Sequence, residues 1–168
     1  MSEFQLNRIS HDAIPTALEK ARQYRLLLEP EQAESICLDI LAIEPEHSEA
    51  SILLILALTD QFTHRCQTLD AKRVLDLIKQ LPHRYDQLYY QGLVNERRGR
   101  AMLHNSMSHS FAYGYFHKAL LFYQQAMQQS PSGNDDAILR SNACLRTIEN
   151  KRLKPRIDPD ELHNDGES

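Results

Sequence analysis

ALEKARQYRLLLEPEQAESICLDILAIEP, residues Ala17–Pro45, decides how this chain folds. Apolar and small residues recur at helical spacing on either side of Glu29-Pro30-Glu31. A residue that precedes a proline avoids helical geometry, so the stretch reads as two helices folded back on each other. In the second half, Ala33, Cys37, Ile40 and Pro45 stand four, three and five positions apart, and the same steps return at Ala119, Tyr123, Ala126 and Pro131. Offsets of three and four put three side chains on one helical face, and the proline then stops the helix.

Working outward, the first helix starts near Asp12 and Pro15 and runs to about Leu28, with Ala17, Ala21, Tyr24 and Leu28 on its packing face. Its partner spans Glu31 to Ile43. A second pair begins near Glu46, with Ser51, Leu54, Ile55 and Leu58 on its packing face. Ile52, Leu53 and Leu56 make that helix apolar nearly all round, which suits the middle of a stack. After a polar connector from Asp60 to Leu69, the small-residue pattern returns at Ala71, Leu75, Ile78 and Pro82, with the proline one place early. The third pair opens at Tyr85, where Leu88, Gly92 and Asn95 take the slots of Ala17, Ala21 and Tyr24. Glycine at 92 implies a close helix approach, at a propensity cost of about 1 kcal/mol relative to alanine. The chain then carries extra length, Arg97 to Ser110, before a helix over Phe111–Gln129 and a last one over Asp135–Asn150.

This pattern resembles the tetratricopeptide repeat, in which a small residue, a bulky one, a second small one and a closing proline mark the second helix of each pair. The anchoring alanines Ala33, Ala71 and Ala119 lie 38 and 48 positions apart. The family unit is about 34 residues, so the excess reads as insertions in pairs two and three. The expected fold is all-α, a solenoid of about seven antiparallel helices with a concave groove. Residues 1–12 are a lead-in, 13–150 the repeat domain, and 151–168, with Pro155, Pro159 and mixed charge, a disordered tail.

The resemblance also implies which side chains face the groove, because the first helix of each pair lines it. Pair one offers Leu18, Arg22 and Arg25, and pair two Leu56 with Glu49 and Asp60. Pair three offers Tyr89, Tyr90, Leu93, Glu96 and Arg97, and the closing helix adds Asn142 and Arg146. Tyr and Arg anchor interfaces often, since each buries much area yet keeps a polar handle. The implied role is a non-catalytic adaptor that holds a peptide or protein segment. A small acidic chaperone for a secreted or aggregation-prone client is the alternative. The lysine and asparagine clamp that some family members use for chaperone C-termini is not matched, since Leu53 and Asp86 occupy its slots.

Composition narrows the rest. The 168 residues carry a formal net charge of -4, which argues against a general nucleic-acid or anionic-membrane binder. The longest apolar run, Ile52 to Leu58, is too short to span a bilayer, and Met1 to Gln5 lacks the blocks of a secretory signal. Cys37, Cys66 and Cys144 have no paired spacing, and Cys37 and Cys144 sit on apolar faces, as buried thiols of a reducing, bacterial-type cytoplasm would. No phosphate-cradling glycine loop, nucleophile elbow or two-histidine zinc helix occurs. His104, His109 and His117 cluster near the insertion, and His64 shares a connector with Cys66, but neither group has zinc spacing. A metal-dependent enzyme is therefore the outlying reading, and neither catalysis nor a cofactor is expected. Self-association through an open end of the stack is compatible with all of these.

Overall fold

The computed structural model describes residues 4–64, 67–104 and 108–157. Among them every regular element is helical. A short 3-10 turn, His11–Ala13, leads into α1 (Ile14–Leu26), α2 (Pro30–Ile43), α3 (Ser48–Asp60) and α4 (Gln67–Lys79). There follow α5 (Arg84–Met102), α6 (His109–Gln128) and α7 (Asp136–Asn150). Pro15 stands in the first turn of α1 as expected, and Pro30, read as part of the turn, is itself the first residue of α2; at both places a missing N–H leaves nothing unpaired. The chain divides into two compact units, Met1–Tyr90 and Gln91–Ser168.

In the first unit α1 packs on α2, α2 on α3 and α3 on α4, while α1 also touches α3. Ala33, Cys37 and Ile40 of α2 are fully buried, as their spacing predicts. On α4 the buried set is Ala71, Val74 and Ile78, with Leu75 only half-buried, since positions three and four along share one face. The apolar α3 buries Leu53, Leu54, Ile55, Ala57 and Leu58, and its three neighbouring helices explain why. On α1 the buried face is Ile14, Leu18 and Ala21, one step round from the expected set. Leu18 is therefore core and not groove.

Leu28, expected on that packing face, is 87% exposed. Helix α1 ends in a Schellman turn: the Leu28 N–H donates to the Arg25 carbonyl at 3.0 Å and the Glu29 N–H to the Tyr24 carbonyl at 2.9 Å. Leu28 adopts the left-handed φ of 62° that this turn requires and that glycine usually supplies.

The second unit joins the end of α5 to α6 and α7. Gly92 and Gly99 lie against the rings of Tyr123 and Phe116, so α6 reaches the α5 backbone closely. Ala112, Phe116, Ala119, Tyr123 and Ala126 form the buried stripe of α6. Residues 151–157 of the segment after α7 are described. A second Schellman turn ends α7, with Arg152 at φ 51° and the Leu153 N–H donating to the Ile148 carbonyl at 3.0 Å. The turn carries Leu153 into the interior, where it is 7% exposed. Residues 158–168 lie outside the described residues, as do Cys66 and residues 105–107 of the insertion.

Candidate interaction surface

The first unit carries eight of the thirteen expected groove residues. On α1, Arg22 pairs with Glu19 of its own helix and with Glu49 in the first turn of α3. Arg25 places Nε 2.7 Å from Asp60 Oδ2, and both side chains are about one-fifth exposed, at 22% and 21%. Asp60 ends α3, where a negative charge opposes the helix dipole, and the Arg25 guanidinium offsets that. The arginines are therefore already engaged along the α1–α3 seam. The Arg22–Glu49 pair, at 35% and 51% exposure, is of the kind that contributes only about 0.2–1 kcal/mol, so an incoming carboxylate can displace Glu49 at small cost, whereas Arg25–Asp60 is the better covered of the two. Leu56 is half-buried on α3.

Tyr89 and Tyr90 belong to a three-ring cluster at the start of α5. The Tyr85 and Tyr89 rings stack with centroids 5.8 Å apart and planes at 18°. Tyr90 meets Tyr89 edge-on at 5.1 Å and 88°. The i, i+4 spacing on one helical face brings the first two together, and all three stay half-buried. Beside them, burial raises the Asp86 carboxyl above its usual range, with the His83 charge acting the other way.

In the second unit the expectation fails for two residues. Leu93 and Glu96 are both 0% exposed and cannot line an open surface. Glu96 instead ties three helices together. The Tyr123 hydroxyl of α6 donates to Glu96 Oε2 at 2.6 Å. Arg100 donates from Nε at 3.0 Å, and Arg140 of α7 donates at 3.4 Å, both to Glu96 Oε1. Burial, reinforced by the Glu96 charge and hydrogen bond, pushes the Tyr123 hydroxyl far up, so it remains a donor. The sequence signal for this role was present: Glu96 shares a helical face with Gly92 and Gly99, the two close-approach glycines. Of the remaining residues, Arg97 and Asn142 are half-buried, and Arg146 is exposed one turn beyond Asn142 on α7.

Neither thiol among the described residues is an activated nucleophile. Burial pushes the Cys37 thiol up to about 12 against the opposing pull of Arg25. Cys144 is likewise pushed up to about 12 by burial and by Glu96. Both thiols are fully buried and stay protonated at neutral pH. Among the described residues no three His, Cys, Asp or Glu side chains converge as a metal site would require. No helix among them is long and apolar enough to cross a membrane. Compared with protein-family models, curated proteins and solved structures, the chain has no significant match in any of the three.

Proposed function

We propose that this chain is a non-catalytic helical scaffold of the tetratricopeptide kind, which holds a peptide or protein segment on its first-helix face. The observation that carries this reading is the α1–α3 seam, where Arg22 is held by the exposed carboxylates of Glu19 and Glu49, which an incoming acid can replace, and Arg25 stands beside it on Asp60. Support for a repeat comes from the first unit, where each helix packs on the next and α1 also meets α3. Arg25–Asp60 and Glu34–Arg73 join residues 35 and 39 positions apart, close to one repeat step of about 34. A bound segment with an acidic flank would take over the arginines, and an apolar or aromatic residue of it would meet the tyrosine cluster. Affinity purification with mass spectrometry, comparing the parent chain with Arg22→Ala and Tyr89→Ala, tests the reading. Both variants fold, and both lose the partner that the parent retains. Full retention of that partner by both would refute it.

A further inference from the structure

A cavity of about 390 Å³ lies on the N-terminal half of α6, closed on one side by the segment after α7. Phe111, Tyr113 and Tyr115 supply aromatic wall, and His117, Lys118 and Arg156 supply the polar rim. Among the described residues no carboxylate lines it. The absence is a property of the sequence on both sides. Helix α6 has no Asp or Glu between His109 and Gln128, and Lys151–Ile157 holds Lys151, Arg152, Lys154 and Arg156 with no acid before Asp158, Asp160 and Glu161 follow in the sequence. A chain of net charge -4 thus concentrates positive charge at one small place.

The walls are arranged, not merely adjacent. The Arg156 guanidinium sits over the Phe111 ring at 4.4 Å, and that of Arg98 sits over Tyr115 at 4.5 Å. Tyr113 and His117 stack at 6.1 Å with planes at 16°. Stacking orients a guanidinium by its face and leaves its N–H edge to donate. Arg98 bears an Nε that is buried with no hydrogen-bond partner among the described residues. Phe111 remains 49% exposed, although its size would favour cover. Gly114 leaves open space where a side chain would stand, with no heavy atom within 4 Å of an added Cβ.

We propose that this pocket is a docking site for an acidic peptide segment with a single aromatic or large apolar anchor. The anchor enters between Phe111 and the tyrosines over Gly114, and the flanking carboxylates meet Lys118 and Arg156. Charge complementarity selects the acid, and the volume admits one side chain of drug-like size. A nucleic acid fits less well, because the cations are confined to one pocket and the remaining chain would repel a polyanion. This pocket shares no residue with the α1–α3 seam, so either proposal can fail without the other.

Fluorescence anisotropy on the full chain decides it, with a fluorescein-labelled peptide DDEFEDD as probe. Saturable binding is expected, weakened roughly tenfold by Lys118→Glu and again by Arg156→Glu. High salt should weaken it as well. Gly114→Leu, which fills the cavity without touching the core, should abolish it, and Arg22→Ala should leave it unchanged. The anchor-free peptide DDEGEDD should bind far more weakly. Circular dichroism confirms that each variant folds. The proposal is overturned by no saturable binding to the parent chain, by parent affinity retained in Lys118→Glu and in Gly114→Leu, or by tighter binding of a short labelled oligothymidylate than of the peptide.

Discussion

Replacing Gly92 by alanine sets two effects of known sign against each other. In a helix interior, alanine is favoured over glycine by about 1 kcal/mol, so propensity alone predicts stabilisation. The added Cβ would stand 2.6 Å from Cε1 and 2.7 Å from Cδ1 of Tyr123. Comfortable carbon contacts need roughly 3.5–4.0 Å, so ring or helix must move by about 1 Å. Tyr123 is fully buried and its hydroxyl is held by Glu96 at 2.6 Å, so the ring has nowhere to go without loosening that bond. Overpacking costs about 1–3 kcal/mol and a weakened buried hydrogen bond about 1–3 more. Less the propensity gain, Gly92→Ala is expected to destabilise by about 1–5 kcal/mol. Urea unfolding followed by far-UV circular dichroism measures this. Gly114→Ala is the internal control: it lies in α6 with no heavy atom near, and should stabilise by roughly 0.5–1 kcal/mol. In a Tyr123→Leu background the Gly92→Ala penalty should largely vanish. A neutral or stabilising Gly92→Ala, or an unchanged penalty in that background, refutes the steric argument.

Three further outcomes follow from the same structure. Leu28→Gly should stabilise by about 0.5–1 kcal/mol, since it relieves a left-handed leucine worth about 1–2 kcal/mol and loses glycine entropy of somewhat less; a lowered melting temperature would contradict this. Glu96→Ala should cost about 3–5 kcal/mol by leaving Tyr123, Arg100 and Arg140 without their shared acceptor. Adding Tyr123→Phe to that variant should cost little more, and strict additivity in a double-mutant cycle would count against the network. Asp86 gives a pH signature. Its folded pKa is raised above 3.8, so its contribution to stability is full below that value and is lost as pH rises through the folded value. Asp86→Asn should therefore compare more favourably with the parent near pH 7 than near pH 3, as read from urea midpoints. An equal difference at both pH values would remove the effect.

The local pattern by itself determined the helices of this protein, because its causes are local. Pro15 and Pro30 at helix starts, Pro45, Pro82 and Pro131 beyond helix ends, and small residues at steps of three and four act within a few bonds of where they stand. They located the seven helices found among the described residues to within two or three residues, and they marked Gly92 as a point of close approach. Tertiary structure alone decided what each face meets. A helical rotation says which residues share a side but not how many neighbours cover it. Leu18, Leu93 and Glu96 look outward by rotation and are buried by their neighbours, while Leu28 looks inward and projects into solvent. The charge partners were equally out of reach: Arg22 with Glu49, Arg25 with Asp60, and Glu96 with Tyr123 and Arg140 meet across separate helices. Polar contacts of that kind depend on distances set by packing, and so does the gathering of Phe111, Lys118 and Arg156 around one cavity.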